Sequence, residues 1–224
     1  MFVNVNGIKI HYEVLGEGKS IILLNPNSTN TGFMKFIANR LAKDFKVYIM
    51  DRRGCGKSEK NCDITYEETA KDVYEFILKL GLNKPYVLGT SGGATVALTL
   101  GINYPDSISK LVSCSGITKM SAIKKPTYAK ILEKLPVYPG KKTIEVFEKL
   151  NNSMKDISKE DLAKISVPTL IVNGGRKDVV PESEARFLAD NIPNSELLIL
   201  EKENHSSYMI NCNWYDKLKE FLNK

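Results

Sequence analysis

The sequence predicts an α/β fold, a mostly parallel, doubly wound sheet with an antiparallel hairpin at its N-terminal edge. Three observations carry this. Short apolar runs such as Ser20 to Leu24 (S-I-I-L-L) have the composition of strands buried on both faces of a parallel sheet. They alternate with segments whose apolar residues recur at helical spacing, the rhythm of crossover units. One stretch, Lys84 to Leu98, runs from an apolar segment through Gly89-Thr90-Ser91-Gly92-Gly93 straight into helical spacing. That is strand, tight turn and helix, with a serine at the tip.

The elements follow in order. Phe2 to Val14 alternates with a period of two about Asn6-Gly7, a hairpin signature. His11 falls in its second strand and reads as an ordinary strand-face histidine. The strand Ser20 to Leu24 leads into the polar loop Asn25-Pro26-Asn27-Ser28-Thr29, and Phe33 to Leu41 has helical spacing. Lys46 to Met50 is the next strand. Behind it, Asp51-Arg52-Arg53-Gly54-Cys55-Gly56-Lys57-Ser58 ends like a phosphate-binding loop, G-x-x-x-x-G-K-S/T. The place of that loop's first glycine is held by Asp51, whose carboxylate would repel phosphate, so a nucleotide site is rejected. Thr65 to Leu80 reads as a helix with Thr65 and Glu68 as its capping pair and Gly81 as its stop. Strands are predicted at Ile108 to Cys114, Val167 to Asn173 and Ser195 to Leu200, and an amphipathic helix at Trp214 to Leu222. Between Ile117 and Ile165 the rhythm breaks. That segment holds helical patches around 128–135, 144–150 and 159–165 and no clear strand, so it is an insertion between two sheet strands.

At 224 residues the chain suits one α/β domain and is short for two. Its 42% hydrophobic and 26% charged residues are those of a globular protein, and no apolar run nears the ~20 residues that span a bilayer. Met1-Phe2-Val3-Asn4-Val5 lacks the features of a signal peptide, so a cytoplasmic location is expected. The net charge of +6 comes from scattered lysines, densest in the pairs Lys124-Lys125 and Lys141-Lys142. Nucleic-acid binding calls for a basic stripe with interleaved aromatics or a known module, and neither is present. Cys55, Cys62, Cys114 and Cys212 have no C-x-x-C spacing; neither a zinc site nor a disulfide framework is expected.

The serine-tipped turn fits G-x-S-x-G. Such a turn strains the backbone of its central residue, and Gly89 and Gly93 let strand and helix approach closely. Alone, the pattern also builds ordinary loops. Asp178 follows the strand ending at Asn173, on the edge where open α/β sheets bind ligands. Its plain alternative is a solvated loop carboxylate. His205 follows the strand ending at Leu200, and the only other histidine lies in the N-terminal hairpin. The order Ser91, Asp178, His205, each past its own strand, is the nucleophile–acid–histidine order of the hydrolase triad.

On these motifs the whole chain resembles the α/β-hydrolase superfamily of lipases, esterases and their relatives. D-R-R-G-C-G-K-S is similar to the family's D-x-R-G-x-G-x-S segment, in which Asp51 has a structural role. V-P-T-L-I-V-N-G-G-R-K-D is similar to the segment that carries the triad acid. The resemblance implies that 117–165 is a short helical cap within a single domain, 1–224. Met120, Tyr128, Ile131, Leu132, Tyr138 and Phe147 are then candidates to line the substrate pocket. Most relatives have His-Gly after the third strand, whereas this chain has Asn25-Pro26. Proline has no N–H, so position-by-position matching assigns the oxyanion-hole donors to the N–H groups of Asn27 and Gly92. The histidine's usual preceding glycine is Asn204.

The resemblance implies acyl transfer on a small carboxylic ester or thioester, with Ser91 as nucleophile, His205 as base and Asp178 as its orienting acid. No metal or organic cofactor is required. Two alternatives use the same residues: a ligand receptor that keeps the triad with slow or no turnover, and cofactor-free haloperoxidase or carbon–carbon hydrolase chemistry.

Overall fold

The computed structural model describes residues 1–27, 29–123, 141–175, 178–205, 210–211 and 214–224. The strands of its sheet are β1 (Phe2–Val5), β2 (Ile8–Leu15), β3 (Lys19–Leu24), β4 (Phe45–Met50), β5 (Tyr86–Thr90), β6 (Lys110–Cys114), β7 (Thr169–Gly174) and β8 (Ser195–Leu200). They lie in the order β1-β2-β4-β3-β5-β6-β7-β8. The β1/β2 and β2/β4 pairs are antiparallel, and all later neighbours are parallel. This is the predicted architecture. At the hairpin turn Asn6 (φ 46°) and Gly7 (φ 75°) are both left-handed, the geometry that matches the twist of the flanking strands and that Asn-Gly adopts most readily.

Helices cover both faces because consecutive strand residues point to opposite sides. Ile21 and Leu23 of β3 pack with Met34, Ile37 and Leu41 of α1 (Thr31–Leu41) and with Leu218 and Phe221 of α7 (Tyr215–Asn223). Ile22 and Leu24 belong to the opposite core with α2 (Tyr66–Lys79), α3 (Gly92–Asn103), α5 (Lys159–Leu162) and α6 (Glu182–Asn191). α3 is apolar around its whole circumference and is buried from Gly92 to Gly101, as a helix enclosed on all sides must be. Each fully buried Leu or Ile contributes about 1.5–3 kcal/mol to these cores.

The D-x-R-G segment ties the hairpin to the sheet. Asp51, 1% exposed, accepts from the Thr31 N–H (2.6 Å), the Lys57 N–H (3.0 Å) and His11 Nδ1 (2.8 Å). Ser58 Oγ accepts from the His11 N–H and donates to the Asp51 carbonyl. Arg53 is clamped on Asp72 by two bonds, Nε to Oδ2 at 2.7 Å and Nη2 to Oδ1 at 2.6 Å. Burial works against the Arg53 charge, but Asp72 more than offsets it and holds the guanidinium pKa above its ordinary value.

Three local expectations need correction. Thr65 Oγ1 does accept from the Glu68 N–H (3.0 Å). The Glu68 carboxylate does not return the bond; it is drawn away to Asn6 Nδ2 (2.8 Å) and Arg53 (3.4 Å). The helical patch at 159–165 stops at Leu162, with Ser158 and Asp161 forming a reciprocal capping box. Helix α6 was not anticipated: two glutamates, an arginine and two aspartate or asparagine residues dilute its apolar stripe to Ala185, Leu188 and the following Ile192.

In the segment after β6, α4 (Lys141–Ser153) matches the predicted 144–150 patch. The patch around 128–135 lies outside the described residues. The start of the segment is pinned to α6, since buried Glu184 accepts from both the N–H and the hydroxyl of Thr118 at 2.5 Å.

Candidate active site

Ser91, Asp178 and His205 follow β5, β7 and β8, three parallel strands whose C-terminal ends point to the same edge. The turn at Ser91 is strained, with φ 54° and ψ −122°, a left-handed conformation that costs a non-glycine residue of order 1–3 kcal/mol. It is held from both sides. The Ser91 N–H donates to the Cys114 carbonyl (2.8 Å), and the Ser91 carbonyl accepts from Ala94 (2.8 Å) and Thr95 (3.1 Å). Gly89 is required because a Cβ there would strike the Gly93 carbonyl.

The three side chains form one hydrogen-bonded line. His205 Nδ1 lies 2.8 Å from Asp178 Oδ1, and His205 Nε2 lies 3.0 Å from Ser91 Oγ. An ionised carboxylate only accepts, so Nδ1 carries the proton and Nε2 presents a lone pair to the serine hydroxyl. The Asp178 side chain is fully buried, whereas that of His205 is 19% exposed. Burial raises the Asp178 pKa. The bond and charge of His205, the Val180 N–H (3.0 Å) and the Ser115 hydroxyl (2.8 Å) outweigh it, and the carboxyl stays below the usual range. The Gly174 N–H adds a further bond to Oδ2 at 2.9 Å. All the acceptor directions of Asp178 are therefore occupied, which leaves its proton affinity low.

Each loop has its own brace. Asn173, buried at the end of β7, donates from Nδ2 to the carbonyls of Gly174 and Val180. Before His205, the Glu203 carbonyl accepts from Gly175 (3.0 Å), and its carboxylate accepts from Asn211 Nδ2. On the other side of Ser91 lies the loop after β3. Asn25 is buried and donates from Nδ2 to the Thr29 carbonyl (2.8 Å) and hydroxyl (3.1 Å). Arg52, 1% exposed, donates from Nε to the Asn25 carbonyl and from Nη2 to Asn27 Oδ1, both at 2.9 Å. The Asn27 amide rests on Gly92, where any Cβ would collide with it.

A cavity of about 30 Å³ opens beside Ser91, lined in part by Asn27, Tyr66, Gly92, Ser115 and Met120. Four of the expected site residues, Ser91, Asn27, Gly92 and Met120, thus meet at one hollow, with His205 and Asp178 in line behind the serine. Tyr128, Ile131, Leu132 and Tyr138 lie outside the described residues, as does the side chain of Phe147. The sequence reading missed Ser115, Tyr66 and Arg52. Ser115 was findable, because it directly follows a predicted strand on the reactive edge; Tyr66 and Arg52 had no such signal. Among the described residues no group of three or more His, Cys, Asp or Glu side chains is arranged to hold a metal. No helix among them is long and apolar enough to cross a membrane.

A family model described as alpha/beta hydrolase fold matches residues 20–136. The human serine hydrolase BPHL is 29% identical over 245 residues, spanning 97% of this chain and 84% of that protein. The pimeloyl-(acyl-carrier protein) methyl ester esterase of Vibrio atlanticus is 23% identical over 243 residues, 89% of this chain and 92% of its own. Among solved structures, the enol-lactonase of Burkholderia xenovorans superposes with a TM-score of 0.84 at 20% identity, and all of both chains is covered.

Proposed function

From the premise that the chain belongs to the α/β-hydrolase fold family and is an enzyme of its serine-hydrolase kind, we propose that it cleaves a small carboxylic ester or thioester. The reaction runs through an acyl-enzyme on Ser91. The observation that carries this is the unbroken line from Asp178 through His205 to Ser91 Oγ.

In the acylation step His205 Nε2 takes the serine proton as Oγ bonds to the substrate carbonyl carbon. The carbonyl π pair moves onto oxygen. Asp178 keeps Nδ1–H in place and stabilises the imidazolium. The N–H groups of Asn27 and Gly92 receive the oxyanion; Gly92 opens α3, so the helix N-terminus adds its positive end. His205 then protonates the departing alkoxide or thiolate. Water, deprotonated by the same imidazole, releases the acid and restores Ser91.

From the segment read as the cap, Ile117, Met120, Ile123 and Asn151 line the cavity beside Ser91, which supports a substrate-facing role for it. The free thiols Cys55, Cys62 and Cys114 suit work in a reducing cytoplasm. The test is labelling by a fluorophosphonate probe together with hydrolysis of 4-nitrophenyl acetate. Wild type should label at Ser91 and turn over, and Ser91→Ala should do neither. A folded wild type that fails to label would favour a receptor role.

A further inference from the structure

Tyr66 opens α2, and its phenol reaches the cavity beside Ser91 although the residue is only 3% exposed. Its surroundings dictate where its proton points. Arg52 has donors only, so Asn27 must turn its carbonyl oxygen to the guanidinium (2.9 Å). The Asn27 amide nitrogen then faces the other way and donates to Tyr66 Oη at 3.2 Å. The phenol is thereby an acceptor from Asn27, and no residue among those described accepts the phenol's own proton. Burial raises the Tyr66 pKa more than the Asn27 bond and the Arg52 charge lower it, so the hydroxyl stays protonated. The side of Ser91 on which this occurs is also defined. The same Asn27 amide rests on Gly92, the residue whose N–H receives the oxyanion.

We propose that Tyr66 is a third oxyanion donor, giving its hydroxyl hydrogen bond to the substrate carbonyl oxygen as negative charge gathers there. The direction is set by the relay Arg52 to Asn27 to Tyr66. The proton stays on the phenol throughout, and no bond to Tyr66 forms or breaks. This inference rests on the reading of Ser91 as nucleophile. It also gives Arg52 a role. Arg52 occupies the variable place of the D-x-R-G segment, is buried, and makes no ion pair among the described residues. It is a positioning residue, acting through Asn27.

The experiment compares 4-nitrophenyl acetate with its thionoester, in which sulfur replaces the carbonyl oxygen. Sulfur is a weak acceptor, so a lost donor matters less for it. Tyr66→Phe should lower kcat/KM on the oxygen ester about 10²-fold, the effect of one lost oxyanion donor, mostly in kcat. On the thionoester the loss should be several-fold smaller. Equal losses on both esters, or none on either, would overturn the proposal, since a merely structural disturbance does not distinguish oxygen from sulfur. Should Tyr66→Phe not fold, Arg52→Lys takes its place, because lysine has one nitrogen in place of the Nε and Nη2 that bond Asn25 and Asn27. The same oxygen-selective loss is expected, and a non-selective loss again refutes it. If wild type turns over neither ester through Ser91, the hydrolase reading itself fails and this one falls with it.

Discussion

The molecule holds two clusters of serine, histidine and aspartate, and they differ in what remains unspent. In Ser58–His11–Asp51, Asp51 follows β4 beside β2, its N–H bonding the His11 carbonyl at 2.9 Å, and the polar atoms are spent on one another. The hydroxyl of Ser58 donates to the Asp51 carbonyl, His11 Nδ1 bonds the Asp51 carboxylate, and all three residues are at most 4% exposed. In Ser91–His205–Asp178 the aspartate is equally buried, but the histidine is partly open and its second nitrogen meets a serine hydroxyl at the wall of a cavity. Residue type alone does not make a nucleophile. A serine becomes one when its proton faces a base and its oxygen faces a space.

Substitutions should separate the two clusters by orders of magnitude. Ser91→Ala should remove turnover of 4-nitrophenyl acetate by about 10⁵-fold or more, as in other triads, with an unchanged melting curve. Asp178→Asn should cost about 10⁴-fold in kcat, because an amide no longer imposes the right tautomer on His205. Activity within tenfold of wild type in Asp178→Asn would erase the difference between the two clusters. Ser115→Ala removes one of the bonds that hold Asp178 and should lower kcat/KM about fivefold, the equivalent of ~1 kcal/mol. In the other cluster, Ser58→Ala should cost about 1–3 kcal/mol in chemical denaturation by leaving the His11 N–H without its acceptor. Activity per folded molecule should hold within about twofold.

The smallest effect is one of pH. The Asp178 carboxyl sits below its ordinary value in the folded state. Its stabilising contribution is therefore complete above the unfolded value of about 3.9 and is lost as pH falls through the lower folded value. Melting temperatures measured from pH 6 down to pH 2 should fall more steeply below about pH 4 for wild type than for Asp178→Asn. Parallel curves would mean that the carboxylate gains nothing from its partners.

Much of this was readable in advance, for a physical reason. Parallel strands buried on both faces must be apolar runs, so β3, β5 and β7 stand out from their flanks, and candidate residues that hang on strand ends are found by counting past them. Asp51 could likewise be recognised as structural. The reading failed where the partner is remote in sequence. Read locally, Glu68 belongs to its own helix cap, because nothing near it in sequence shows that Asn6 and Arg53 compete for it. Tyr66 and Arg52 look like a helix-start aromatic and a surface cation until the fold buries them beside Asn27. Helix α6 escaped because its apolar stripe is thin, while its identity as a helix depends on the sheet it covers.

β3 and β5 are neighbours, and Leu24 pairs with Gly89 across them. The first residue of the loop that holds Asn27 and the turn that holds Ser91 therefore leave the sheet at matched heights. Moving either strand by one residue would displace its loop by about 3.3 Å and turn every side chain to the opposite face. Length changes are consequently forbidden on the few residues between Ile21 and Asn27, while the long connection between β6 and β7 carries no such constraint of register. Divergence in this protein should accordingly run by insertion and deletion beyond Thr118, past the contacts of Ser115 with Asp178 and of Thr118 with Glu184, and by substitution alone along β3 and β5.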